Sequence, residues 1–312
     1  MTLSAEQKSV LLEIARDAAR FDEPLANYST MRIGGPADAL VAPRDPGMLK
    51  SVMRWASENE INYMFLGGGS DTLIRDGGIR GVVIHLKDGF KNCEVLQQGD
   101  ESFVKAGAGV PTGFLVNFAK ENGLKGVEGL AGIPGTVGGN VMTNAGTSLG
   151  WISESVEEIT VVDKHLRELT IKKKALEFSY RHLRLPRSTA VISATLRLAR
   201  DDQSSIDQRI SELLNKRKTT QPYGQPTLGC MFKNPEKGGK KSASAGALID
   251  EAGLKGVRVG KARVSDIHAN FIINEGGATS KDVEVLMGLV KEHVKEKFGT
   301  ILEPEIHIVG EK

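Results

Sequence analysis

Glycine is unevenly placed in this chain, and its placement limits the fold more than any other feature. Of 36 glycines among 312 residues, 20 fall between residues 67 and 150, roughly a quarter of the length. No Gly-X-Y period runs through them, which excludes a collagen helix. Val, Ile, Leu and Ala stand between them, which excludes a flexible Gly/Ser linker. What remains is folded backbone that turns sharply or approaches something closely.

The length suits two or three domains with a full core. Lys and Arg number 41 against 39 Asp and Glu, a net charge of +2. That balance argues against a protein that coats nucleic acid. Cys93 and Cys230 lie far apart in no CxxC pattern. A disulfide framework and a zinc finger are not expected, and a reducing cytoplasm fits. The histidines are scattered and no HExxH occurs, so no metal is expected. No run of 18 apolar residues is present, so no membrane span is expected. Ser4-Ala5-Glu6-Gln7 reads as a capping box, and its early acid argues against a secretory signal.

The periodicity predicts a helix over 4–20, a strand over 38–42, a helix over 46–60, and strands over 61–66 and 81–86. A strand over 102–108 and a helix over 111–122 follow, then a stretch at 129–140 too rich in glycine for either element. Strands are expected over 156–163, 166–171 and 189–199. The last part holds a helix at 206–218, a loop at 219–229, a helix near 244–252, a strand at 268–274, a helix at 280–297 and a strand at 301–309. This division gives three expected domains, 1–90, 91–203 and 204–312.

Several clusters could carry chemistry. Gly67-Gly68-Gly69-Ser70-Asp71 ends an apolar strand, where glycine N–H groups can cradle a phosphate. The Rossmann GxGxxG and the P-loop spacing are both absent. A second turn over 129–140 is costly to order unless it binds something. Two such turns on one scaffold suggest a dinucleotide. Gly146-Thr147-Ser148-Leu149-Gly150 matches GxSxG formally, but the following residues give weak helix signal, and a nucleophile elbow needs a helix there. Cys230 follows a loop glycine beside Lys233 and Asn234. A thiol titrating near 8.5 is mostly protonated at neutral pH, so it can donate a proton as well as attack. Glu303, Glu305 and His307 alternate with Leu302, Ile306 and Ile308. Ser179-Tyr180-Arg181-His182 offers an arginine for a two-pronged carboxylate contact.

These pieces occur in order, and together they resemble the UDP-N-acetylenolpyruvoylglucosamine reductase family over roughly residues 25–310. The resemblance rests on Tyr28-Ser-Thr-Met-Arg-Ile-Gly-Gly-Pro36, Leu66-Gly-Gly-Gly-Ser-Asp71 and Gly132-Ile-Pro-Gly-Thr-Val-Gly-Gly139. It rests also on Tyr180-Arg181, Gly229-Cys-Met-Phe-Lys-Asn-Pro235, Ala245-Gly-Ala-Leu-Ile249, Ala252-Gly-Leu-Lys-Gly256, His268-Ala-Asn-Phe-Ile272 and Leu302-Glu-Pro-Glu305.

The resemblance implies an α+β chain with an FAD-binding fold of the vanillyl-alcohol-oxidase type in two subdomains, and a C-terminal α+β substrate domain. It implies FAD contacts from Arg32, Gly67, Gly68, Gly69, Ser70, Asp71, Gly132, Ile133, Pro134, Gly135, Thr136, Gly138 and Gly139. It also implies that hydride passes from NADPH through FAD to the vinyl carbon of UDP-N-acetylglucosamine enolpyruvate. Arg181 would stabilise the enolic charge, Cys230 would donate the proton, and Glu305 would polarise the intermediate. Lys233, Asn234 and His268 would contact the substrate. Asp71 stands where Asn is common in the family, Asn140 where Ala is common, and His307 where Arg is frequent. A cytoplasmic protein acting on small molecules is expected, with a monomer as the default state. Two rival readings are another flavin enzyme of this fold and a non-catalytic nucleotide-binding module.

Overall fold

Helix Pro46–Glu58 shows how patterning becomes structure. Asp45 caps it by accepting from the Met48 N–H, and Pro46 occupies the first turn, where a missing N–H costs nothing. Leu49, Val52, Met53 and Ala56 form its buried face, the face the spacing predicts. The computed structural model describes residues 2–97, 101–147, 149–235 and 244–312. They form two units with a discontinuous division: Met1–Asp22, Asp38–Gly68 and Gly81–Asn215 in one, Glu23–Ala37, Gly69–Arg80 and Lys216–Lys312 in the other.

The first unit is built on two sheets. One is four-stranded in the order Ala19–Pro24, Pro36–Val41, Ile79–His85, Tyr63–Leu66. Its last two strands run parallel, with Leu66 opposite His85. Helices Ala5–Ala15 and Pro46–Glu58 supply Leu11, Leu49, Val52 and Met53 to the core over this sheet. The second sheet is antiparallel around the long strand Ala190–Arg200, flanked by Val156–Val162 and Glu101–Gly107. Helix Thr112–Glu121 and helix Gln203–Thr220 contribute Leu115, Val116, Ile206 and Ile210 to its core.

The second unit packs helix Ala245–Glu251 and helix Ser280–Phe298 with a three-stranded antiparallel sheet of Arg258–Val259, Ala262–Val264 and Ile272–Asn274. Its core draws Met31, Ile33 and Leu73 from early in the chain. Strand Thr72–Ile74 pairs in parallel with His307–Val309.

Strands Thr72–Ile74, Cys93–Gln97, Glu177–Ser179, His182–Arg184, Arg258–Val259 and Ala262–Val264 lie outside the expected elements, and four of the expected stretches take another form. The first helix ends at Ala15, where Arg16 turns to φ 51°, and Ala19–Pro24 is a strand. The 129–140 stretch contains helical turns at Glu128–Leu130 and Val137–Met142. Burial of Val137 and Val141, with Thr136 as cap, offsets the entropic cost of glycine there. The strand expected over 268–274 begins only at Ile272, because Ser265 and His268 fold the preceding residues into a turn. The strand expected over 301–309 is confined to His307–Val309, since Pro304 lacks a ladder donor. No described helix is long and apolar enough to cross a membrane.

Candidate active site

In the first unit the two glycine turns meet. A Cβ on Gly67 would lie 2.9 Å from Thr136 Oγ1, and one on Gly68 would lie 2.5 Å from the Gly135 Cα. Only backbone fits at this approach. The second turn is pinned from behind: Val137 and Gly138 donate to the carbonyls of Val110 and Ala108, each at 2.9 Å, and Thr112 donates to that of Gly135 at 3.1 Å. Thr136 accepts the Gly139 N–H at 3.5 Å. Ile133 is anchored by its N–H on the Leu130 carbonyl at 3.0 Å and by packing on the core. Gly132 and Pro134 complete the turn. Two glycine turns packed this closely can present backbone N–H groups unshielded by Cβ atoms, which suits the pyrophosphate of a flavin dinucleotide. The N–H groups of Val137 and Gly138 are already committed, so other groups of the turns would meet the phosphates.

Two residues to which the sequence reading gave no cofactor contact support this cradle. Asn140 Nδ2 donates to Thr112 Oγ1 at 2.7 Å and ties the two short helices together. His85 is buried beside the first turn, bonds to the Gly67 backbone, and has Nδ1 3.3 Å from Asp88 Oδ2. Burial holds its pKa below the ordinary imidazole value, so it stays neutral at neutral pH. The only sequence signal for it was a histidine inside the apolar run Gly81–Leu86.

Arg181 also lies in the first unit. Strands Glu177–Ser179 and His182–Arg184 form a hairpin whose two connecting residues are Tyr180 and Arg181. Arg181 takes φ 57°, a left-handed conformation costly for a residue with a Cβ and often kept at functional positions. Its guanidinium carbon stands 5.5 Å from the centre of the Trp151 ring and 5.9 Å from that of Tyr180. Of the GxSxG match, Ser148 lies outside the described residues. Gly146–Thr147 pairs with Gly150–Trp151, and a one-turn helix Ile152–Ser155 follows.

The other expected site residues lie in the second unit. Segment 230–233 runs between two others: Cys230 bridges Phe271, Phe232 bridges Pro304, and Glu305 donates from its N–H to the Met231 carbonyl at 2.9 Å. Buried Asn270 holds it from one side, accepting from the Phe232 N–H at 3.0 Å and donating to the Phe232 carbonyl at 2.8 Å. Cys230 and Glu305 thus stand on adjacent hydrogen-bonded segments. Lys233 Nζ lies 3.6 Å from Glu303 Oε2, an exposed pair of little energetic weight. Asn234 Oδ1 accepts the Ala245 N–H at 3.0 Å, at the start of helix Ala245–Glu251. His268 Nδ1 accepts the Asn270 N–H at 3.2 Å, and burial lowers its pKa, so its ring is neutral.

Gly69 accepts the Thr30 N–H at 3.0 Å, and Asp71 accepts that of His307 at 2.9 Å, so both ends of the Gly69-Ser70-Asp71 stretch are fixed. Arg32, at φ 57°, lines a cleft of about 480 Å³ with Gln225, Pro226, Arg263, Asn274 and Glu275. Glu275 neutralises Arg263 at 2.6 Å within it. Among the described residues no cluster of His, Cys, Asp and Glu could hold a metal ion.

Comparison with known proteins bears on what this arrangement does. Residues 37–165 match the family described as FAD binding domain, and residues 221–309 match the family described as UDP-N-acetylenolpyruvoylglucosamine reductase, C-terminal domain. The UDP-N-acetylenolpyruvoylglucosamine reductase of Desulfosudis oleivorans is 40% identical over 309 residues, covering 96% of this chain and 97% of that one. The protein of the same name from Geobacter metallireducens is 42% identical over 292 residues, covering 93% and 94%. The crystal structure of UDP-N-acetylenolpyruvylglucosamine reductase from Thermus caldophilus is similar with a TM-score of 0.79 and 35% identity, over 94% of this chain and all of that one.

Proposed function

The chain belongs to the UDP-N-acetylenolpyruvoylglucosamine reductase family, and from that premise we propose that it uses NADPH to reduce UDP-N-acetylglucosamine enolpyruvate to UDP-N-acetylmuramate, a step toward peptidoglycan precursors. It is an FAD-dependent oxidoreductase. The observation that carries the cofactor side of this reading is the close approach of Gly67 to the Thr136 hydroxyl and of Gly68 to the Gly135 backbone. We assign the pyrophosphate to these glycines with Gly132, Ile133, Pro134, Gly138 and Gly139. Arg32, Gly69, Ser70 and Asp71 are assigned to the same cofactor on the family resemblance. In this reading residues 1–90 and 91–203 serve the cofactor and 204–312 the substrate. The protein acts as a cytoplasmic monomer on small molecules.

FAD held by these turns would supply the two-electron redox chemistry that links the nicotinamide to the enolpyruvyl ether. The remaining work falls to side chains. Negative charge develops on the carbon bearing the ether oxygen and spreads into the carboxylate. Arg181 meets that charge with a guanidinium whose fork matches a carboxylate. Glu305 polarises the same intermediate from the segment beside Cys230. The Cys230 Sγ–H bond then breaks, its proton goes to the charged carbon, and the thiolate is reprotonated from solvent. Lys233 meets a substrate phosphate, for which the exposed Glu303 is a weak competitor, and Asn234 and His268 contact the sugar nucleotide.

Oxidation of NADPH that depends on the enolpyruvyl sugar tests the reaction, and its absence in flavin-loaded protein would sink it. Cys230→Ala should keep flavin reduction by NADPH, seen as bleaching of flavin absorbance. The same variant should lose about a hundredfold or more in sugar turnover. Near-normal steady-state turnover would remove Cys230 from the mechanism.

A further inference from the structure

The geometry points to Trp151 as a positioning residue that orients the Arg181 guanidinium toward an anionic substrate group. This rests on the proposed catalytic role of Arg181. The guanidinium carbon lies within 6 Å of two ring centres, Trp151 at 5.5 Å and Tyr180 at 5.9 Å. The rings meet edge to face, 5.8 Å apart at 70°. That range and arrangement give cation–π attraction, strongest for the indole face.

The local backbone fixes the contact from both sides. Trp151 is registered opposite Gly146, and a Cβ on Gly146 would lie 2.6 Å from the Trp151 Cα, so the indole is seated by a strand pair that only glycine permits. Ile152 is buried and donates to the Ala145 carbonyl at 2.8 Å, which anchors the chain directly after the indole. On the arginine side, Asn144 Nδ2 donates to the Ser179 carbonyl at 2.9 Å. The Tyr180-Arg181 turn is therefore tied to the segment that leads into Gly146. Neither aromatic side chain belongs to the sheet cores of the unit.

The chemistry explains why a ring suits this position. A carboxylate holding Arg181 would occupy its donor fork and compete with the carboxylate of the substrate. A ring face attracts the cation through its quadrupole without using an N–H donor. It also restricts the long side chain before substrate arrives, so less rotamer freedom is lost on binding.

The test uses the flavin-loaded protein and a double-mutant cycle. Trp151→Leu should lower sugar-dependent turnover roughly tenfold, and Trp151→Phe should lower it less, in the order of ring quadrupole strength. FAD content and the rate of flavin reduction by NADPH should stay unchanged in both. On an Arg181→Met background, Trp151→Leu should cost nothing further, because the interaction is already gone. Equal losses on both backgrounds would mark Trp151 as structural and overturn the assignment. So would loss of FAD in both variants, or unchanged turnover in Trp151→Leu. Wild-type turnover in Arg181→Met would overturn the catalytic reading and this one with it. A collapse in Arg181→Met with wild-type turnover in the Trp151→Leu single variant would overturn this one alone.

Discussion

A single hydrogen atom in place of a side chain decides how closely the two glycine turns meet. At Gly68 the approach to Gly135 leaves 2.5 Å where a methyl group needs about a full van der Waals contact. Gly68→Ala should therefore purify with less flavin per chain and a lower melting temperature, measured by absorbance ratio and thermal scan. Cys93 shows another residue-level effect. Burial and the charge of Glu94 push the Cys93 thiol up to about 11. In a Cys230→Ser variant, alkylation of the remaining thiol should accelerate steeply with pH until about 11. A rate that levels off near neutrality would contradict that environment. The glycine turns were legible in the sequence because consecutive glycines after an apolar strand have few other uses. The Trp151–Arg181 contact and the His85 support were not. Both join residues from separate stretches, and neither side chain has a local pattern that announces its partner.

At the level of elements, helix Ser280–Phe298 was the most legible piece. Thr279 and Asp282 form a capping box, Gly299 closes the other end at φ 67°, and Val283, Leu286, Met287, Val290 and Val294 are buried as their spacing predicts. Thr279→Ala should cost about 1 kcal/mol, read from the denaturant midpoint. What the spacing did not reveal is the segment clipped to its start. Asp76 accepts from the Ser280 N–H at 3.0 Å and from its hydroxyl at 2.8 Å. Arg75 grips Glu284 with two bonds, 2.8 and 3.0 Å. Those bonds hold the Glu284 carboxyl below its ordinary value of 4.5. A depressed carboxyl contributes stability that is present above that value and lost as pH falls through the folded one. Acid unfolding should accordingly begin at higher pH in wild type than in Glu284→Gln once each is normalised to its neutral-pH stability. Identical acid limbs would show that the pair carries no linkage. The 129–140 stretch shows the opposite lesson, since tertiary packing of Val137 and Val141 overrides low helix propensity.

For the whole molecule, the division into units is the least legible feature, because it depends on pairings between distant stretches. The C-terminal domain expected at 204–312 contains helix Gln203–Thr220 almost entirely, yet Ile206, Ile210 and Leu213 of that helix pack into the first unit's core. The second unit in turn needs Met31, Ile33 and Leu73 from early segments. A fragment of residues 204–312 should show poorly dispersed amide signals and no cooperative melt. The full chain should melt cooperatively. A sharply folded fragment would show that the early segments are dispensable.

The parallel pairing of Thr72–Ile74 with His307–Val309 has a further result during synthesis. A ribosome delivers residues 23–37 and 69–80 long before their partners exist. Until the stretch from Leu228 to Ile306 is made, Met31, Ile33 and Leu73 lack the core they enter in the folded chain. Completion of the second unit therefore waits on segments far along the chain from those it draws first.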